Sequence, residues 1–309
     1  MIAERKGEWL EIGIPQDWEG LTVEDLLKVK WNAPKGLVHQ LRMEKGVRLN
    51  GDALSWKQPL QAGERIWIHL FTEEDFDVKP EPIDFAIVYE DDHLLIANKP
   101  SGIDTHPSEK GKGGTLANGV AFHWNMNGVQ TKVRHIHRLD RDTSGGIIFA
   151  KHALAGAIMD GLLRERLIGR TYFAFVQGRL KQKIGTIRQP IGRDRHHPTR
   201  RRVSERGDQA VTDYKVLGYD RAEDISLLEV NLRTGRTHQI RVHMSYLGHP
   251  LVSDSLYGGN PHQVIHRQAL HAGRIQLPHP ITGESLEFEI PWPSDMMRLR
   301  QLIILGEQK

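Results

Sequence analysis

The chain has 309 residues, of which 39% are apolar, so it can build a sizeable core, and its formal net charge is +3. It contains no cysteine, which excludes disulfide frameworks, thiol nucleophiles and cysteine-ligated zinc or iron–sulfur centres. No apolar run approaches the roughly 18 residues of a membrane span, and the first residues lack the apolar core of a secretory signal. We therefore expect a globular protein of the cytoplasm without a membrane partner.

The small net charge conceals two segments of opposite sign. Residues 71–92 carry nine acidic side chains against Lys79 alone, and Pro80 and Pro82 within them are typical of a linker. Residues 188–206 carry seven arginines against two carboxylates. Two interpretations of this arginine segment stay open at this point. It is either a solvated face or a loop that follows a phosphate backbone, since guanidinium groups bind phosphate oxygens in a forked geometry.

Residues 1–72, which precede the linker, predict a small α+β module. Apolar spacing from Leu21 to Val29 indicates a helix, and Asn50-Gly51 marks a hairpin turn between short strands. Alternation in residues 64–71 indicates a final strand. This order, with its G-V-x-x-N-G sequence, resembles the S-four-like RNA-binding module, although other small α+β domains share these elements.

We assign residues 73–84 to the acidic linker and residues 85–309 to a second domain. A helix is expected near residues 115–124, and a buried strand over residues 147–150. Further strands follow one another with few helices between them. Because regular helical crossovers are missing, we predict an α+β fold with a large mixed or mostly antiparallel sheet flanked by helices.

Polar side chains crowd the turn that precedes the buried strand. The sequence H-R-L-D-R-D-T-S-G-G over residues 137–146 ends in two glycines that permit a sharp bend, as in functional loops on rigid scaffolds. A structural turn, in which Asp142, Thr143 and Ser144 bond the local backbone, explains the same pattern. Both interpretations stay open on these residues alone.

A second polar cluster lies on a predicted helix that starts near Thr237. Steps of 100° place His238, Arg241 and Ser245 on one face, with apolar residues opposite. We expect Thr237 to cap this helix. An ordinary amphipathic surface helix is the alternative.

Five motifs occur in the order found in the RluA/RluD-type pseudouridine synthases, which the chain resembles from residue 85 to about residue 292. They are N-K-P-S-G at 98–102, H-R-L-D-x-x-T-S-G at 137–145, R-T-Y-x-A-x-V-x-G at 170–178, T-G-R-T-H-Q-I-R-V-H-M at 234–244 and G-H-P-x-x-x-D-x-x-Y-G-G at 248–259. Arg170 stands where the family carries lysine. The resemblance implies isomerisation of uridine in RNA to pseudouridine, without a metal or cofactor, and two-domain members carry an S-four-like module in front.

The resemblance also implies catalytic roles. Asp140 is the essential aspartate, which acts as a nucleophile on ribose carbon 1 or on the uracil ring, or stabilises a cationic ribosyl species; these alternatives stay open. Arg241 pairs with Asp140 and favours its ionised form. Tyr172 stacks against the target uracil and is a candidate to take the proton of ribose carbon 2, whereas without the motif it reads as a core strand tyrosine.

The target base must leave the helical stack, and the resemblance implies that Arg138 fills the space it vacates. The arginine segment at residues 188–206 lies where family members carry a variable loop. We therefore expect this segment to bind the RNA backbone. The further residues predicted to contact RNA are His137, Thr143, Arg236, His238, Arg200, Arg201 and Arg202.

Other classes fit less well. His135 and His137 lack a carboxylate–histidine set at recognised metal-ligand spacing, and Ser144 does not stand in a G-x-S-x-G elbow. The main rival is a non-catalytic RNA-binding or ribosome-assembly protein on the same fold. Large-subunit rRNA is the first expected target and tRNA the second, with ribosomal precursor particles as possible partners and a monomer as the default state.

Overall fold

The computed structural model describes residues 2–109 and 111–306. Its N-terminal part is a five-stranded antiparallel sheet in the order β1-β2-β5-β3-β4, whose inward residues, such as Leu10, Ile12, Ile66 and Ile68, are fully buried. The strands are β1 Ala3–Lys6, β2 Trp9–Gly13, β3 Val47–Leu49, β4 Asp52–Ala53 and β5 Arg65–His69. The helices are α1 Val23–Asp25, which continues as a π-helical turn over Leu26–Lys30, and α2 Lys35–Met43.

The remainder is built on a ten-stranded sheet whose central path runs β11-β14-β15-β10-β16-β9-β7-β6, with β17 paired to β16 and β8 to β9. Only the pair of β16 with β9 is parallel among these ladders. The structure therefore confirms an α+β fold with a large, mixed and mostly antiparallel sheet. The strands are β6 Ala86–Glu90, β7 Leu94–Lys99, β8 Arg134–His135, β9 Ser144–Ala150, β10 Gly169–Gln177, β11 Ile184–Arg188, β12 Ile191–Arg193, β13 Arg201–Val203, β14 Val211–Asp220, β15 Ile225–Leu232, β16 Leu270–Pro278 and β17 Ser285–Glu289.

Strands β12 and β13 form a separate two-stranded hairpin. The helices of this part are α3 Leu116–Met126, α4 Ala153–Arg164, α5 Gln239–Tyr246 and α6 Ser294–Gly306. Short 3₁₀ turns occur at Gln16–Trp18 and Ser255–Tyr257. Within the described ranges, no helix combines the length and the apolar character that crossing a membrane requires.

The parallel pairing of β9 with β16 depends on Gly145. Its φ is +122°, and a Cβ atom at this position would lie 2.3 Å from the carbonyl oxygen of Ala272. Only glycine permits such a close backbone approach in this conformation. The bend fixes the polar turn that precedes β9 against the centre of the sheet.

Helix α5 starts later than expected. The predicted cap at Thr237 is wrong, because the residue that precedes the helix is His238, whose φ of +57° is left-handed and whose side chain makes no capping bond. The side chain of Gln239 instead organises the approach to the helix. Its Oε1 atom accepts hydrogen bonds from the Thr234 hydroxyl and the Arg236 backbone N–H.

The acidic segment over residues 73–84 contains no helix or strand and follows the surface of the second domain. Phe76 and Val78 pack against the core of that domain, and Glu74 forms an ion pair with Arg134. The side chain of Asn118 donates to the carbonyl oxygen of Lys79. The segment is therefore bound along its length by apolar and polar contacts.

Side chains of the second domain complete the core of the N-terminal module. Leu154 of α4 and Ile281 are both buried within the apolar cluster that includes Leu10 and Ile68. Arg5 also forms an ion pair with Asp92. The two parts of the chain consequently share one packed interface.

Candidate active site

A cavity of about 640 Å³ opens between the polar turn before β9, strand β10 and the residues that lead into α5. It is lined by eight of the eleven residues predicted from the sequence. These are Asp140, Tyr172, Arg241, Arg138, His137, Thr143, Arg236 and His238. Three motifs that are far apart in the chain therefore meet at one site.

Asp140 occupies the polar turn at the wall of the cavity. The turn is held by the Thr143 N–H, which donates to the Asp140 carbonyl oxygen at 3.0 Å, and by the Leu139 N–H, which donates to the Thr105 hydroxyl at 3.2 Å. The Asp140 side chain is 21% exposed, and its Oδ2 atom accepts a hydrogen bond from Arg241 Nη1 at 3.1 Å. Arg241 thereby holds the Asp140 carboxyl group at the cavity wall, and a carboxylate is a group that nucleophilic chemistry can use.

Arg241 is buried and is anchored by a second carboxylate. Its Nε and Nη2 atoms donate to Asp254 at 2.7 and 2.9 Å, in the forked geometry that guanidinium groups make with carboxylates. The centre of the guanidinium lies 5.0 Å from the ring of Tyr257. Burial works to lower the pKa of Arg241, but the hydrogen bonds and charges of Asp254 and Asp140 raise it above the usual value. Arg241 therefore stays charged beside Asp140.

His238 also lies next to Asp140. Its Nε2 atom lies 3.7 Å from Asp140 Oδ2, and its Nδ1 atom lies 2.8 Å from the hydroxyl of Tyr257. That hydroxyl also accepts the backbone N–H of Arg201 at 2.9 Å. Burial lowers the pKa of His238, while the charge of Asp140 opposes this effect, so the imidazole is neutral at pH 7.

Tyr172 lies on β10 and is only 4% exposed. Burial raises the pKa of its phenol, so the hydroxyl stays protonated near neutral pH. Its ring lines the cavity that also contains Asp140. This position fits a stacking role, and its catalytic role stays a prediction.

Part of the cavity lining is strongly basic. Arg138, Arg164, Arg166 and Arg170 line the cavity, and none of them forms an ion pair within the described part of the chain. Nearby, both ring nitrogens of His137 are buried without a hydrogen-bond partner among the described residues, and burial lowers its pKa far below the usual value. Unpaired guanidinium groups around a concave site attract a polyanion.

The arginines predicted at positions 200–202 do not line this cavity. Arg200 donates to Asp194 within its own hairpin, with contacts at 2.6 and 2.7 Å. The backbone N–H of Arg201 donates a hydrogen bond to the Tyr257 hydroxyl, and the Arg202 side chain is exposed on β13. The hairpin lies beside α5, and contact of these three side chains with RNA stays a prediction.

Three supporting residues were not singled out by the sequence analysis. Asp254 and Tyr257 stand in the G-H-P-x-x-x-D-x-x-Y-G-G motif, and Lys99 stands in N-K-P-S-G. Their presence in these motifs could have identified them as candidate site residues. The fully buried Lys99 ammonium donates to the carbonyl oxygens of Pro100, Ile103 and Arg141 at 2.7 to 2.9 Å. Burial lowers its pKa to about 8. Lys99 thus ties its loop to the residue that directly follows Asp140.

Several known proteins resemble this chain. A family model described as RNA pseudouridylate synthase matches residues 93–246, and one described as the RluD ribosomal pseudouridine synthase N-terminal domain matches residues 10–66. The chain is 48% identical over 295 residues to an uncharacterized RNA pseudouridine synthase of Bacillus subtilis, YhcT, which covers 96% of this chain and 97% of that protein. The solved structure of human RNA pseudouridylate synthase domain containing 1 covers 72% of this chain and 96% of its own, with a TM-score of 0.56 and 25% identity.

The chain belongs to the family of RNA pseudouridine synthases, which are isomerases. Among its relatives is the ribosomal large subunit pseudouridine synthase D of Nitrosomonas europaea, which is 36% identical over 308 residues, covering 95% of this chain and 88% of that protein. The resemblance predicted from the motifs is confirmed. Within the described ranges, no group of three histidine or acidic side chains is arranged to hold a metal ion.

Proposed function

We propose that the chain converts specific uridines of large-subunit rRNA to pseudouridine, with Asp140 as the catalytic carboxylate. The observation that carries this proposal is the pairing of Asp140 with Arg241 at 3.1 Å inside the cavity. The ion pair holds this carboxyl group inside the cavity, where it can attack ribose carbon 1 or the uracil ring or stabilise a cationic ribosyl species.

The basic part of the cavity lining supports an RNA substrate. A flipped uridine carries phosphates on both sides, which Arg164, Arg166 and Arg170 are proposed to bind, while Arg138 is proposed to fill the space that the base vacates. The choice of large-subunit rRNA rests on relatives whose name includes that subunit. Transfer RNA is the second choice, and precursor particles of the ribosome are a possible form of the substrate.

The N-terminal module is proposed to add RNA contacts, and residues 1–72, 73–84 and 85–309 are proposed as module, linker and catalytic domain. We also propose that the chain acts as a monomer in the cytoplasm. No metal or cofactor enters the proposed reaction.

The test is incubation with unmodified large-subunit rRNA and, separately, unmodified tRNA. Pseudouridine is then mapped by carbodiimide-dependent stops of primer extension. Stops in rRNA with the wild type, their loss with Asp140→Asn and their retention with the matched control Asp142→Asn support the proposal. Binding of both RNAs without stops supports the rival interpretation, a non-catalytic RNA-binding protein.

A further inference from the structure

The isomerisation moves a proton as well as a glycosidic bond, and the inference that follows rests on the proposed function. When the bond from N1 to ribose carbon 1 has broken and carbon 5 has bonded to that ribose carbon, carbon 5 still holds its hydrogen. That hydrogen leaves as a proton, its electron pair restores the double bond between carbons 5 and 6, and N1 takes up a proton. The cavity therefore needs a group that accepts a proton from carbon and releases one to nitrogen.

Most ionisable groups that line the cavity are unsuited to this step. The arginines stay protonated at all working pH values. The Tyr172 phenol keeps its proton because it is buried, and the ring nitrogens of His137 lie beneath the cavity surface, out of reach of a ligand. Asp140 already accepts a hydrogen bond from Arg241 and is already proposed as the catalytic carboxylate. His238 remains.

The position of His238 fits the requirement. Its Nε2 atom lies 3.7 Å from Asp140 Oδ2, which is too long for a hydrogen bond. The two side chains are therefore neighbours in the cavity, and Nε2 is not hydrogen-bonded to Asp140. The side chain is 14% exposed and lines the cavity wall. A uracil ring released from the ribose at Asp140 would therefore lie next to Nε2.

The surroundings of His238 hold the ring in this orientation. The Tyr257 hydroxyl lies 2.8 Å from Nδ1, and the tyrosine is itself fixed by the Arg201 N–H and by the Arg241 guanidinium. The backbone φ of +57° is unfavourable for a residue other than glycine, and such conformations concentrate at functional sites. The carboxylates of Asp140 and Asp254 stabilise the His238 imidazolium once it forms, while the positive charges of Arg241 and Arg201 limit that stabilisation.

We propose that His238 is a catalytic base of this enzyme, whose Nε2 atom takes the proton from uracil carbon 5. In this step Nδ1 carries the other ring proton and donates it in a hydrogen bond to the Tyr257 hydroxyl. The imidazolium then returns a proton to N1, so that the imidazole is regenerated and no other reactant is consumed. Tyr257 is a positioning residue, because it acts through His238.

The experiment measures single turnovers on large-subunit rRNA transcribed with uridine that carries hydrogen or deuterium at carbon 5. We expect His238→Gln to slow pseudouridine formation by ~10²-fold or more, the usual contribution of a general base. We also expect it to show a larger primary isotope effect than the wild type, because breaking the bond from carbon 5 to hydrogen becomes rate-limiting. The matched control is His266→Gln, an exposed histidine outside the cavity, which is expected to retain both the rate and the isotope effect of the wild type.

A second variant guards against loss of the fold. His238→Gly accommodates the positive φ and leaves room for free imidazole, so added imidazole is expected to restore turnover. A slower rate with an unchanged isotope effect, or no rescue by imidazole in a variant that still binds rRNA, would overturn the assignment while leaving the proposed function intact. If the wild type forms no pseudouridine in the rRNA, the proposed function fails, and this inference fails with it.

Discussion

Replacing Asp254 by asparagine tests how Arg241 is anchored. The Asp254 carboxylate is 1% exposed and accepts Nε at 2.7 Å and Nη2 at 2.9 Å. Asparagine keeps the shape but removes the charge and one acceptor oxygen, so a buried guanidinium loses its main counter-charge. Breaking a buried pair from one side costs about 3–5 kcal/mol, and because Asp140 still binds Nη1 we expect about 3 kcal/mol.

The neighbouring carboxylate should behave differently. Asp140 is 21% exposed and makes one hydrogen bond with Arg241, whose charge stays balanced by Asp254 when Asp140 is replaced. We therefore expect Asp140→Asn to change the free energy of unfolding by about 1 kcal/mol or less. Activity should show the reverse order, with complete loss in Asp140→Asn and a partial loss in Asp254→Asn.

Urea unfolding followed by tryptophan fluorescence measures the stability difference, since the chain has seven tryptophans. Single-turnover assays on rRNA measure the rate. If Asp254→Asn unfolds at the same urea concentration as the wild type, with the same slope, the reasoning from a buried ion pair is refuted. Equal stability losses for the two variants would refute it as well.

Three further predictions concern other parts of the cavity and the core. Tyr172→Phe keeps the ring but removes a hydroxyl that stays protonated, so the single-turnover rate and the RNA affinity should both stay close to those of the wild type; a fall in the rate of ~10²-fold would instead show that the hydroxyl takes part in proton transfer. Burial lowers the pKa of His93 and His271 from 6.5 to about 4. As the pH falls through this window, the unfolded chain takes up protons that the folded chain does not, so the free energy of unfolding should decrease, and His93→Gln should flatten the dependence of the urea midpoint on pH. Arg166→Ala should reduce the slope of log affinity for RNA against log salt concentration by about 1. Arg202→Ala should reduce it by the same amount, and an unchanged slope for this variant would contradict the prediction that the β12–β13 hairpin binds the RNA backbone.

Eight residues that line the cavity could be predicted because each belongs to a short sequence motif, whereas Arg164 and Arg166 line it from outside every motif and were not predicted. What the motifs do not contain is the pairing between them. Lys99 bonds a carbonyl 42 residues away, and Asp254 bonds Arg241 from a different loop, so their roles depend on tertiary packing. The sequence placed both residues in motifs without indicating what they hold.

Local preferences also misplaced one helix start. Threonine is a good cap, which favoured Thr237, but the bonds of Gln239 with the preceding loop and the left-handed conformation of His238 override that preference. The parallel pairing of Gly145 with Ala272 was equally out of reach. It joins segments that are more than a hundred residues apart, and hydrophobic periodicity predicts local secondary structure, not contacts between distant segments.

The shared core between the N-terminal module and α4 has a geometric consequence for substrate choice. Because Leu154 and Ile281 are buried inside the module, the distance between the module surface and Asp140 is set by packing rather than by a tether. An RNA that touches both must present its uridine at a fixed spacing from a second structural feature. The packed interface would then fix the distance between the two RNA contacts. Cutting the chain near residue 85 would remove this constraint and expose an apolar face of α4 to water.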